Sequence, residues 1–102
     1  SATKFGSNCI QYNHVPITPE VVGAEDCLYL NVYVPVREAG ANKIPMPVIF
    51  WIHGGAFQFG SGSLNSAKYL MDHDVIFVTM NYRLGPMGFL STEDEVVPGN
   101  MG

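Results

Sequence analysis

Hydrophobic and polar positions alternate from residue 28 to residue 34. Leu28, Leu30, Val32 and Val34 fall on one side, and Tyr29, Asn31 and Tyr33 on the other. A period of two predicts a strand, and Pro35 stops it. The rhythm then changes to unbroken apolar runs. Residues 48–52 (Val-Ile-Phe-Trp-Ile) and 75–81 have the length and β-branched content of strands buried on both faces. Between them, Ala67, Leu70 and Met71 recur at three- and four-residue spacing, which predicts a short helix over 65–73 capped by Ser63 or Asn65. Strand, helix and strand at this length form a βαβ unit. The strands at 48 and 75 are therefore expected to run parallel, with a right-handed crossover. The strand at 28 is expected to lie antiparallel beside them.

The remaining stretches lack periodicity. Pro16, Pro19 and Gly23 make a long helix or central strand improbable in residues 1–26, which read as a surface loop. Residues 36–47 contain Gly40, Asn42, Pro45 and Pro47 and form a polar loop, and residues 58–63 are a glycine and serine loop. The chain bends at Gly85-Pro86 and turns again over 96–100.

Composition narrows the classes. The apolar fraction is 47% and the charged fraction 14% of 102 residues, a balance that suits part of a larger buried body better than a small domain with mostly polar surface. The formal net charge of −4 offers nothing basic to hold phosphates, which argues against nucleic acid as a partner. No apolar run approaches the roughly 20 residues of a transmembrane helix. The opening Ser1-Ala-Thr-Lys-Phe-Gly has no basic region leading into an apolar core, and the expectation is a piece of a longer protein. Cys9 and Cys27 leave two readings open. They are two buried thiols, or a disulfide closing a loop that would place the protein in an oxidising, secretory compartment.

Candidate chemistry concentrates at His53-Gly54-Gly55-Ala56-Phe57, directly after the apolar run. A glycine pair lets the backbone turn sharply and approach a ligand. A buried strand ending in such a turn can aim successive N–H groups at one point, as an oxyanion hole requires. An ordinary turn after a strand accounts for the same residues. Arg83 is the one charge in an apolar neighbourhood, which favours a partly buried arginine paired to a carboxylate over a surface arginine. Glu93-Asp94-Glu95 reads as a solvated acidic run with no histidine close by to complete a metal site. His14 has no orienting partner beside it and reads as solvated or structural.

Four phrases occur in one order: Glu25-Asp26-Cys27-Leu28-Tyr29-Leu30-Asn31-Val32, His53-Gly54-Gly55-Ala56-Phe57, Asn81-Tyr82-Arg83-Leu84-Gly85 and Pro98-Gly99-Asn100-Met101-Gly102. Together they resemble the type-B carboxylesterase and cholinesterase family of α/β-hydrolases. The wording from Val48 to Gly102 is most similar to insect carboxylesterases of the hymenopteran venom and juvenile-hormone-esterase-like group. The resemblance implies an α/β fold, here part of the α/β-hydrolase sheet with one crossover helix. It implies that residues 1–102 are the N-terminal part of a single catalytic domain, with 1–27 a disulfide-closed loop and 28–102 the sheet segment and oxyanion loop.

The same resemblance assigns residues. Gly55 and Ala56 supply two oxyanion-hole N–H groups, and Phe57 is a substrate-binding candidate. Cys9 and Cys27 fall where the family places its first disulfide. Glu25 matches a glutamate that pairs with an arginine upstream of this chain, and Arg83 an arginine whose carboxylate lies downstream. His53 itself sits in the oxyanion loop, where its plain role is to brace the turn. Neither it nor His14 nor His73 takes the triad role. No cofactor or metal is implied, the protein is secreted, and its substrates are small carboxylic esters. Many members have Gly where Ala56 stands, which narrows the space there but keeps the donor. The loop between the cysteines has no tryptophan to receive a choline cation, which argues against acetylcholine. There is no Gly-x-Ser-x-Gly in residues 1–102, so the nucleophile is expected further on. The rival expectation is a cholinesterase-like adhesion protein that keeps the fold and lacks the nucleophile.

Overall fold

The computed structural model describes residues 4–13, 20–38 and 44–102. His14 lies outside them. In chain order the elements are β1 (Gln11–Asn13), β2 (Glu20–Val22), β3 (Leu30–Tyr33), β4 (Val48–Ile52), a 3-10 helix (Leu70–Asp72), β5 (Ile76–Met80) and α1 (Gly85–Phe89).

The apolar runs become the centre of the fold. β5 lies in the middle of a sheet of order β3-β5-β4. It pairs parallel with β4, from Val48↔Ile76 to Ile52↔Met80, and antiparallel with β3, from Leu30↔Met80 to Tyr33↔Phe77. Both orientations are those expected from the sequence. The parallel pair brings the C-terminal ends of β4 and β5 together, so the segments after Ile52 and Met80 emerge side by side.

Three expectations are corrected. The helix over 65–73 contracts to the 3-10 helix, with a single backbone bond from Met71 N–H to the Ala67 carbonyl (2.9 Å) ahead of its closing bond from His73 to Leu70 (3.0 Å). Serine competes for the backbone before it: Ser66 Oγ accepts from Lys68 N–H at 3.2 Å, and Ser61 and Ser63 hydroxyls bond each other at 2.9 Å. Residues 1–26 are not wholly irregular, because β1 and β2 pair antiparallel as Gln11↔Val22, Tyr12↔Val21 and Asn13↔Glu20. Three-residue strands are too short to display a period. The Gly85-Pro86 bend opens α1, where proline in the first turn loses no helical bond because its missing N–H is an orphan there.

The largest departure concerns burial. β4 was read as covered on both faces, yet every one of its residues is exposed, Trp51 at 45% among them. Paired residues share a face, so Leu30, Val32, Phe50 and Ile52 lie on one apolar face with the half-buried Val78 and Met80, and the described residues leave the first four exposed. On the other face Phe77 and Thr79 are buried. An apolar run records the environment a strand is built for, and here the covering layers do not come from the described residues.

The compact part of the chain is a small cluster of Cys9, Cys27, Tyr82 and Leu84, with Met80 packed against it. Cys9 and Cys27 form a disulfide with Cα atoms 4.8 Å apart, which settles the two readings of these cysteines. Replacing both by serine in the full-length protein is expected to lower stability by about 3 kcal/mol, the chain-entropy figure for a loop of this size. A urea midpoint that does not move would contradict it.

Candidate functional site

β4 ends at Ile52, and the chain turns over within the next few residues. Gly55 has φ 127°, Ala56 φ 51° and Phe57 φ 61°. The Gly55 carbonyl accepts from Gln58 N–H at 2.9 Å and Phe59 N–H at 3.2 Å, which closes the turn. Only glycine fits at 55, because a Cβ there would stand 1.8 Å from the Phe59 carbonyl oxygen. The N–H groups of Gly55 and Ala56 donate to no group among the described residues. The Gly54 and Phe57 N–H groups likewise have no acceptor there, so a run of successive donors that includes Gly55 and Ala56 remains available at the end of a sheet strand.

The turn is clamped on several sides. His53 is buried, and its Nδ1 lies 2.8 Å from the Gly54 carbonyl oxygen. Its ring stacks on Tyr82 with centroids 4.4 Å apart, and Tyr82 Oη donates to the His53 carbonyl at 2.8 Å. Gly60 closes over the loop, held by the Gln11 side chain, which accepts from Gly60 N–H at 2.8 Å and donates to its carbonyl at 2.9 Å. Gly85 N–H donates to the Phe57 carbonyl at 2.7 Å, and the Phe57 ring meets Phe89 edge-on at 5.4 Å.

Behind the loop, the buried Asn81 side chain joins three distant segments. Its Oδ1 accepts from Gly62 N–H at 2.8 Å, and its Nδ2 donates to the Ser7 and Cys27 carbonyls, each at 3.0 Å. Sequence reasoning singled out neither Gln11 nor Asn81 for these contacts. Asn81 carried one weak signal, an amide at the end of an apolar strand where it has to find partners. Gln11 carried none.

Glu25 and Arg83 require a correction. They were expected to pair with residues upstream and downstream, but they meet each other, Arg83 Nε donating to Glu25 Oε1 at 2.8 Å. The cause is topological. Glu25 lies beside Cys27, and Arg83 follows β5 next to Tyr82, which packs in the same cluster. The side chains are 51% and 32% exposed, so screening keeps the pair weak. Glu25→Gln is expected to change stability by less than about 1 kcal/mol. A larger loss in thermal unfolding would mean that the pair carries more than its exposure allows.

Other polar groups lie apart from the loop. His73 is exposed at the end of the 3-10 helix. The acidic run is exposed, and no group of three or more metal-ligating residues occurs among the described residues. Asp94 organises its own turn. The Thr92 hydroxyl and the Val96 and Val97 N–H groups hold its carboxyl below the usual range. The Tyr29 phenol donates to Asp26 at 2.8 Å, which pushes its ionisation up. An apolar cleft of about 590 Å³ opens between the β1–β2 pair and α1, lined by Ile10, Tyr12, Val21, Gln58, Pro86 and Met87. Gly55 and Ala56 do not line it.

The parallel pair with its strand-end loop is a segment of the α/β-hydrolase fold. A juvenile hormone esterase from Manduca sexta, solved with OTFP covalently attached, superposes on 95% of this chain with a TM-score of 0.75 and 40% identity, using 19% of its own chain. The chain belongs to the carboxylesterase family, whose pattern matches residues 1–102 throughout. Venom carboxylesterase-6 of Apis mellifera is 58% identical over 105 residues, spanning 100% of this chain and 18% of its own length. The juvenile hormone esterase of Tribolium castaneum is 51% identical over 104 residues, with 100% of this chain and 17% of its own length matched. The chain thus spans under a fifth of the length of these relatives.

Proposed function

We propose that the whole protein hydrolyses small carboxylic esters through a serine acyl-enzyme, and that this chain supplies the oxyanion loop. The observation that carries the reading is the pair of unengaged N–H groups at Gly55 and Ala56, at the end of a parallel strand in a family of ester hydrolases. When a nucleophile attacks the ester carbonyl, negative charge gathers on its oxygen. Donors already in place stabilise that charge without reorganising, each worth on the order of 3 kcal/mol in serine hydrolases. A third donor and the catalytic serine, acid and histidine lie outside residues 1–102 in this reading, as part of the same catalytic domain. The chain by itself is then inactive, and its uncovered apolar surface makes it prone to aggregate.

In this reading Phe57 offers the incoming ester an apolar wall, which its 64% exposure and its edge-on contact with Phe89 support. Nothing in this chain favours juvenile hormone over general esters. The Cys9–Cys27 disulfide supports a secreted protein, since such bonds persist in oxidising compartments. No helix among the described residues is long and apolar enough to cross a membrane.

Fluorophosphonate labelling of the full-length protein, followed by peptide mapping, tests the reading. A labelled serine within Gly-x-Ser-x-Gly is expected. A folded parent that takes up no label would be a non-catalytic, adhesion-type relative, with the loop retained as structure.

A further inference from the structure

The buried histidine ahead of the loop has a contact that bears on the chemistry itself. We propose that His53 is a positioning residue that sets the direction of the Gly55 N–H through the Gly54 carbonyl, acting as the neutral ring protonated on Nδ1. The proposal rests on the oxyanion reading above and deepens it.

The argument starts from the peptide unit. Gly54 C=O and Gly55 N–H belong to one planar, trans group, so fixing the direction of one fixes the other. His53 Nδ1 lies 2.8 Å from the Gly54 oxygen. A carbonyl only accepts, so Nδ1 must carry the proton. A hydrogen bond to the carbonyl also polarises the peptide and makes its N–H a better donor. The donor thus oriented belongs to Gly55, whose N–H is unengaged among the described residues.

Two further contacts hold the ring where this bond needs it. The ring stacks on Tyr82, and the Tyr82 hydroxyl anchors the His53 carbonyl. Gly60 lies directly over the bond: a Cβ on it would come within 2.4 Å of His53 Nδ1 and 2.7 Å of the Gly54 oxygen. Gly60 is itself fixed by both ends of the Gln11 amide. His53 Nε2 is buried and meets no hydrogen-bond partner among the described residues. All the polar work of the ring therefore falls on Nδ1. A residue needed only for packing would be met by any flat ring.

The two amide side chains separate these roles. The Asn amide nitrogen can occupy the place of Nδ1, whereas the longer Gln carries its amide nitrogen to the place of Nε2. In the full-length enzyme His53→Asn is expected to keep kcat within about threefold of wild type. His53→Gln and His53→Phe are expected to lose roughly 10- to 100-fold in kcat with KM nearly unchanged, a partial loss of one oxyanion donor. A trifluoromethyl ketone, whose adduct places an oxyanion in the same position, should lose affinity in proportion to kcat/KM. Histidine-selective ¹⁵N spectra of the wild-type protein give a reading that needs no variant to fold, with His53 protonated on Nδ1 and bare at Nε2. Equal activity in the Asn, Gln and Phe variants, a loss confined to KM, or a His53 protonated on Nε2 alone would overturn the proposal while leaving the esterase reading intact. A wild-type protein that hydrolyses no ester removes both.

Discussion

Gly55→Val in the full-length protein is expected to lower kcat/KM on a simple ester by at least about a thousandfold, the effect of losing an oxyanion donor outright. The reason is steric before it is chemical. The Gly55 φ of 127° is closed to a β-branched residue, and any Cβ would stand 1.8 Å from the Phe59 carbonyl. That atom is backbone and cannot rotate aside, so the turn from Gly55 to Phe59 has to open. Opening it turns the Gly55 and Ala56 N–H groups away from the directions the closed turn gives them. Ala56→Gly is the informative contrast. Ala56 has φ 51°, a left-handed conformation that costs alanine about 1–2 kcal/mol and glycine nothing. The added freedom of glycine in the unfolded chain offsets much of that gain. The donor is unchanged, so activity within two- or threefold of wild type is expected. Steady-state kinetics on the soluble fraction checks both variants. A soluble Gly55→Val enzyme with near-normal kcat/KM would remove the oxyanion assignment.

Asn81→Asp should be the most destabilising isosteric change in the chain, by about 4 kcal/mol or more. One Asp oxygen can still accept from Gly62 N–H. The other replaces an NH2 that donates to the Ser7 and Cys27 carbonyls, and so sets an acceptor against two acceptors in a buried position. Ionisation would add an uncompensated buried charge, and protonation would restore only one of the two donors. Asn81→Ala leaves all three partners unsatisfied without the repulsion, and should fall between Asp and wild type. Urea unfolding of the full-length variants gives the ranking. An Asp variant within 1 kcal/mol of wild type would mean that these bonds do not join the segments in solution.

The parts of the fold legible in the sequence are those carried by continuous apolar runs. Residues 48–52 and 75–81 stand out because a two-sided strand needs apolar residues at successive positions, with only Thr79 and Asn81 interrupting the second run, and the parallel pairing followed from the distance between them. Alternation at 28–34 likewise located β3, which lies antiparallel beside the parallel pair as expected, with β5 as its partner. The helix over 65–73 contracts because three apolar positions at helical spacing carry less weight than Ser61, Ser63 and Ser66, whose hydroxyls bond locally. At the site, the glycine pair located the turn that follows β4. Its supports were hidden, because Gln11 and Gly60 are 49 positions apart and Asn81 and Ser7 are 74 apart. No local pattern records such a pairing. The Glu25–Arg83 contact was missed although both residues had been marked for ion pairs, since nothing in their sequence positions says that the two ends meet.

The strand order has a consequence for the newborn chain. β3 and β4 flank β5 and do not touch each other, so neither has its partner in the sheet until β5 has been made. At ordinary rates of synthesis the residues from the end of β4 to the start of β5 take about 1–5 s to appear. For an interval of that length Val48 to Ile52 stand outside the ribosome as an unpaired apolar strand, waiting on β5 residues still inside the exit tunnel. Chaperone occupancy on the nascent chain should therefore rise as this strand emerges and fall once Met80 has cleared the exit tunnel. A run of slow codons decoded after β4 has left the tunnel and before Met80 has done so would lengthen the exposure and lower the soluble yield without altering a single residue of the protein.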